Sequence, residues 1–153
     1  MADPVTITDQ LVLDATPARI RALLEDVPLV VACIPGAAVS GDATDGAYPA
    51  KIGVQYGETG VRLSGTVRSE WPAIDAAVVR AEGQDKAGTV RATGEIRITV
   101  GAQGADGTRV EVAARFTFGG ILAPLARSAT RIVGPQLMRS FARCLSETLA
   151  SRG

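Results

Sequence analysis

The sequence predicts an α+β domain, in which one antiparallel sheet is packed on a single face and a long C-terminal helix covers it. Six runs between residues 5 and 118 read as strands separated by turn signals, and five of the six show one clear apolar face. The only long helical pattern then fills residues 121–150. A length of 153 residues suits a single domain, 1–153, around one core.

Residues 5–14 alternate, with Val5, Ile7, Leu11 and Leu13 on one side, as a half-buried strand does. Thr16-Pro17 reads as an N-cap followed by a proline at the first helical position, and Ile20, Leu23, Leu24 and Val27 continue at helical spacing. Pro28 restarts a short second helix to Cys33, and Pro35-Gly36 stops it. The later strand runs are punctuated by Asp45-Gly46, Gly57-Glu58-Thr59-Gly60, Asp85-Lys86-Ala87-Gly88 and Asp106-Gly107. Tyr48, Ala50, Ile52, Val54 and Tyr56 share one parity, as do Val61, Leu63, Gly65, Val67 and Trp71. Residues 74–83 form a weaker run; residues 90–100 and 110–118 alternate clearly, the last carrying Phe116 and Phe118. The helical stripe holds Ile121, Leu122, Leu125, Ala129, Ile132, Val133, Leu137, Phe141, Leu145 and Leu149. Pro135 within it removes one backbone hydrogen bond, to the carbonyl of Arg131, and predicts a kink that lets the helix follow a curved sheet.

Small residues recur on the inward strand faces: Ala50, Gly65, Ala92, Gly94 and Ala114. They admit two readings, close packing of a curved sheet or space left open beneath the helix.

Composition removes several functional classes. Apolar residues make up 46% and aromatics 4%, so aliphatic side chains fill the core. Sixteen basic and sixteen acidic residues leave no net polycation for nucleic acid. The chain has no histidine, which removes the commonest general base and metal ligand. Cys33 and Cys144 lie far apart and outside any CxxC pair, so two buried structural thiols are expected in place of a disulfide scaffold or zinc site. The polar N-terminus and the lack of an 18-residue apolar run predict a cytoplasmic protein without a membrane span. There is no phosphate loop, telling carboxylate pair or metal constellation; an enzyme built on this chain would have to use a residue such as Glu82 or Glu95, and the parity of Glu95 points outward.

Charge is segregated. The C-terminal helix holds Arg127, Arg131, Arg139 and Arg143 against the single Glu147. Each arginine pair is four residues apart, on adjacent turns. This is either a solvated helix face or a patch for anionic lipid or an acidic partner, and at about 1 kcal/mol per basic residue it would give weak, reversible membrane contact.

The segment Asp26-Val-Pro-Leu-Val-Val-Ala-Cys-Ile-Pro-Gly36 resembles the signature of the CoxG family of carbon monoxide dehydrogenase proteins, with its aspartate, short helix and Cys-Ile-Pro-Gly ending. Val61-Arg-Leu-Ser-Gly-Thr-Val67 is similar to a family strand with a central glycine, and Phe116-Thr-Phe-Gly-Gly-Ile-Leu-Ala123 to its strand-to-helix junction. The resemblance covers essentially the whole chain and implies a START-like helix-grip fold of about six to seven strands. It further implies a non-catalytic accessory role beside a molybdenum-containing carbon monoxide dehydrogenase or related hydroxylase, with a quinone or lipid in the cavity and no metal or covalent cofactor. On a helix-grip frame, Tyr56, Trp71, Phe116, Phe118, Leu125, Ile132, Leu137 and Phe141 are the candidate ligand-binding residues, and plain core is their alternative reading. The turn at Pro35 and Gly36 is a helix-to-strand connection or a gate at the cavity mouth. Some family members carry a C-terminal extension for membrane attachment. This sequence ends at Gly153, directly after the helix, which predicts peripheral contact in place of stable anchoring. Docking or assembly without a ligand, and cyclase-like catalysis, are the alternative functions.

Overall fold

The computed structural model describes residues 4–56 and 59–152, with only the backbone at 54–56, 59 and 152. The element order is β1 (Val5–Leu13), α1 (Pro17–Glu25), α2 (Val27–Ala32), β2 (Ala37–Val39), β3 (Tyr48–Tyr56), β4 (Thr59–Ala73), β5 (Ala76–Gln84), β6 (Arg91–Gly104), β7 (Gly107–Gly119) and α3 (Ala123–Arg152). All seven strands form one antiparallel sheet in the order β1-β7-β6-β5-β4-β3-β2.

Local chemistry places the short helices. The Thr16 hydroxyl accepts from the Arg19 amide at 3.3 Å and the Asp26 carboxylate from the Leu29 amide at 3.3 Å, so each side chain caps one helix start. Asp26 therefore starts α2 at Val27, one residue earlier than the proline suggests. The sequence reading missed one strand and blurred another. β2 has only three residues, too few for a sequence pattern to stand out. Ala76 through Val79 are all buried, so both faces of β5 are covered where it begins and the period of two disappears.

The main core gathers Leu13, Ile20, Leu24, Ile98, Val110 and Val112 beneath Phe141, Leu145 and Leu149 of α3. Each large side chain buried there contributes roughly 1.5–3 kcal/mol. Inside the core the hydroxyl of Thr108, which is fully buried, donates to the Ala15 carbonyl at 2.7 Å. Pro135 lies within α3, which continues as one element on both sides of it.

The structure corrects the reading of the cysteines. Cys33, at the C-cap of α2, is disulfide-bonded to Cys144 in α3, with Cα atoms 5.3 Å apart and a sequence separation of 111. Distance along the chain carries no information about distance across the fold, and packing α3 over the end of α2 brings the two sulfurs together.

Candidate functional site

A cavity of about 250 Å3 lies between α3 and the concave face of the sheet. The sheet side explains the space. Ala50, Gly65, Ala92, Gly94 and Ala114 all border it, and a facing strand position that carries hydrogen or methyl leaves volume that a branched residue would fill. Register sets these residues side by side: Ala50 pairs with Gly65, Gly65 with Gly83, Gly83 with Ala92, and Ala92 with Phe118. From above, α3 contributes Thr130, Val133, Gly134, Leu137, Met138 and Phe141. These recur at three- and four-residue intervals, as one helix face does. Ile34 and Ala37, at the ends of the turn after α2, complete one wall.

The surroundings are apolar. The Thr130 hydroxyl is spent on the Ala126 carbonyl at 2.8 Å. Lys51, Ser64, Thr66 and Glu82 also border the cavity but have the outward parity of their strands and are exposed. Among the described residues no group of three or more His, Cys, Asp or Glu side chains is placed to hold a metal ion.

Of the residues expected to meet a ligand, Phe116, Phe118, Leu137 and Phe141 line the cavity. Leu125 and Ile132 do not: they are 44% and 61% exposed. Both have the wrong helical phase, since Phe141 and Ile132 are nine residues apart, half a turn out of step at 100° per residue. The continuous apolar stripe read from sequence is thus two stripes on opposite faces. Trp71 is also elsewhere. It packs against the main core near α1, with the Arg21 guanidinium 4.8 Å from its ring centroid, at a register shift between Glu70 and Ala73 that interrupts the β4–β5 ladder. The side chain of Tyr56 and the turn at 57–58 lie outside the described residues. Missing from the sequence-based set were Ile34, Val133 and Met138. Once the phase of Phe141 is fixed, Val133 and Met138 follow from it.

The turn at Pro35 and Gly36 is exposed. Gly36 has φ of 81° and its backbone abuts Gly53, whose N–H donates to the Gly36 carbonyl at 2.9 Å, so a side chain there would meet both backbone strain and a clash.

The four helix arginines divide as well. Arg131, Arg139 and Arg143 are exposed, whereas Arg127 is half-buried and its Nε is shielded from solvent without a hydrogen-bond partner. The expected four-arginine surface is therefore a three-arginine surface, because residue 127 falls near the inward phase of the helix.

The start of α3 is held at the β5–β6 turn. The Leu122 amide donates to the Thr89 carbonyl at 3.0 Å. Asp85 organises that turn: its carboxylate accepts from the Thr89 hydroxyl and from the Val90 amide at 3.0 Å. The Thr89 hydroxyl first, and the Val90 amide second, hold the Asp85 carboxyl below its ordinary value. A carboxyl with a depressed folded-state pKa stabilises the fold fully above the ordinary aspartate range and loses that contribution as pH falls through the lowered value. Protection of the amides at Val90 and Leu122, taken relative to their intrinsic exchange rates, should therefore fall only below about pH 4, the ordinary aspartate value. Asp85→Asn should abolish that acid step; if the step persists in the variant, Asp85 is not its origin.

The carbon monoxide dehydrogenase CoxG family profile matches residues 10–150. The chain belongs to the CoxG family. No curated protein sequence matches it. Solved structures similar to this CoxG-family chain share its fold at low identity. A conserved protein from Geobacillus kaustophilus superposes with a TM-score of 0.73 at 14% identity, covering 96% of both chains. The Zhui aromatase/cyclase from Streptomyces sp. R1128 gives 0.66 at 12% identity, covering 98% of this chain and 96% of its own. A START superfamily protein from Mycobacterium smegmatis gives 0.59 at 13%, covering 97% and 99%. The seven-stranded bent sheet under one long helix is the START-like helix-grip fold. The CoxG-like segment Asp26–Gly36 supplies the α2 cap, the disulfide half Cys33 and the cavity-wall residue Ile34.

Proposed function

We propose that this CoxG-family protein binds an apolar, ring-bearing small molecule, a quinone in the leading case, as a non-catalytic accessory factor of a molybdenum-containing carbon monoxide dehydrogenase or related hydroxylase. The observation that carries the proposal is the cavity itself: small residues on the floor, Phe116, Phe118 and Phe141 on the walls, and aliphatic groups of α3 above. A planar ring fits between phenyl groups in offset or edge contact, and its burial is worth about 25 cal/mol per Å2. About 250 Å3 is just under the range of roughly 300–1,000 Å3 usual for small-molecule sites, so a ring is enclosed while a prenyl or acyl tail extends beyond it.

Membrane contact belongs to the same proposal. Among the described residues no helix is long and apolar enough to cross a bilayer. Leu125 and Ile132 are 44% and 61% exposed on the outward face of α3, with Arg139 and Arg143 continuing that face, and Ile121, 84% exposed, lies in the turn just before the helix. Exposed aliphatics beside arginines suit shallow, reversible docking on anionic lipid, where a tailed ligand is exchanged.

Organic extraction of the purified protein followed by mass spectrometry should release a quinone or lipid, and short-chain menaquinone or ubiquinone analogues should bind by calorimetry. Ala92→Trp, placed between Gly83 and Phe118, should fill the space and weaken binding by about tenfold or more, equivalent to about 1.4 kcal/mol, with the melting transition retained. Protein that releases nothing and binds neither analogue would sink the proposal. A second reading follows from the aromatase/cyclase neighbours, a cyclase-like enzyme, but Glu82, the acid the sequence offered for it, is exposed on the outward face of the sheet.

A further inference from the structure

Away from the cavity, the outward face of the sheet has its own organisation. β4 to β7 carry seven arginines and four glutamates, all of outward parity. The register arranges them in rows. Arg68, Arg80, Glu95 and Arg115 stand side by side across four strands, and the neighbouring row is Thr66, Glu82, Thr93 and Thr117. A depression of about 510 Å3 lies over these two rows.

Only the middle of the arginine row is neutralised. Arg80 contacts Glu95 at 2.8 Å and Glu70 at 3.5 Å. Among the described residues Arg68 and Arg115 have no carboxylate within 4.0 Å. Arg68 also stands directly opposite Arg80, an arrangement of like charges that destabilises a strand pair. Glu70 and Glu95 offset the charge of Arg80, which leaves Arg68 and Arg115 as the guanidinium groups of the row open to an external counter-charge.

We propose that this face docks a folded protein partner whose surface is mixed in charge, with carboxylates placed to meet Arg68 and Arg115. The glutamates interspersed among the arginines would repel a phosphodiester backbone or a uniformly anionic bilayer, yet they match a protein surface of mixed charge. Among the described residues, the exposed large hydrophobics nearest this face are Ile74 in the β4–β5 turn and Val12 on β1, both at its margin, so the two rows themselves have no apolar side chain to insert into lipid. Guanidinium forks pair with carboxylates bidentately, and the threonine hydroxyls supply the neutral bonds of such an interface. Four strands spaced by ~4.8 Å, each about 30 Å long, present roughly 600 Å2, of the order of the ~800 Å2 per partner in a standard interface. The identity of the partner, the molybdenum hydroxylase, rests on the accessory-factor reading above; Arg68 and Arg115 do not border the cavity.

The test compares the wild-type chain, Arg68→Ala/Arg115→Ala and Arg139→Ala/Arg143→Ala. Each is measured for binding to purified carbon monoxide dehydrogenase of the source organism at low and high salt, for flotation with phosphatidylglycerol-containing vesicles, for titration with a short-chain quinone, and for melting temperature. The sheet variant should lose about tenfold or more in affinity for the dehydrogenase at low salt and much of its salt dependence. Its flotation and quinone binding should match wild type, and its melting temperature should equal or exceed it, since one like-charge pair has gone. Undiminished affinity of the sheet variant, or a loss confined to the helix variant, overturns the proposal. Loss of vesicle flotation in the sheet variant assigns the face to lipid and overturns it too. Absence of wild-type binding to the dehydrogenase also overturns it, and the quinone titration then reports separately whether the cavity reading stands.

Discussion

Reducing the Cys33–Cys144 disulfide is expected to lower the stability of the fold by about 2–5 kcal/mol. The bond closes a span of 111 residues, and constraining an unfolded loop of that size is worth nearly 5 kcal/mol in the chain-entropy account, with measured values for native disulfides commonly ~2–4 kcal/mol. For a chain of this length each kcal/mol shifts the melting temperature by about 2–4 °C, so a drop on the order of 10 °C should be read by calorimetry in the presence of a phosphine reductant. The effect has a local side. α3 rests mainly on β1 and β7, and the disulfide ties its C-terminal half to the end of α2 on the opposite side. Cys33 is one residue from Ile34, and Cys144 is one turn from Phe141, so the bond joins two walls of the cavity. Quinone titration of the reduced protein should accordingly be weaker as well. A Cys33→Ala/Cys144→Ala variant separates reduction from other actions of the reagent. An unchanged transition in both reduced protein and variant would mean that packing alone holds α3 in place.

What was legible in the sequence followed from periodicity with a single cause. β3, β4, β6 and β7 alternate because one face meets the core and the other water. Residues 5–14 and the helix start at Thr16-Pro17 were readable for the same reason, since local chemistry and burial agree there. Periodicity failed where a second influence acted. Ala76–Val79 are covered on both faces, and β2 spans fewer residues than one full alternation. The long helix shows the limit at the site. Most of its apolar residues were visible, Met138 excepted, but Leu125 and Ile132 belong to an exposed stripe and Val133 and Met138 to the cavity, and only the phase of α3 over the sheet decides which is which. The small residues Ala50, Gly65, Ala92, Gly94 and Ala114 carried the better signal, because a floor of hydrogen and methyl groups reads out missing volume directly. The disulfide and the outward arginine rows were out of reach, since both depend on strand and helix neighbours that only the register supplies.

Gly65→Ala should be the most damaging single-methyl change in the sheet, costing about 4 kcal/mol or preventing folding. Gly65 pairs with Ala50 on one side and Gly83 on the other. A Cβ built on it would overlap the Glu82 carbonyl oxygen and stand 2.6 Å from the Gly83 Cα. Both obstacles are backbone. No rotamer change can relieve them, so β4 and β5 would have to separate and give up ladder hydrogen bonds at the floor of the cavity. Two other glycines calibrate the effect. At Gly94 the added methyl would meet the Phe116 ring at 3.0 Å, and a side chain can turn away, so about 1–2 kcal/mol is expected together with a partly occluded cavity. At Gly53 nothing lies within 4 Å, so alanine should be neutral or slightly stabilising through its smaller unfolded-state entropy. Urea midpoints of the three variants test the order Gly65, Gly94, Gly53 from most to least damaging. If Gly65→Ala melts with Gly53→Ala, β4 and β5 do not approach each other closely at the cavity floor, and the space beneath α3 must arise from another cause.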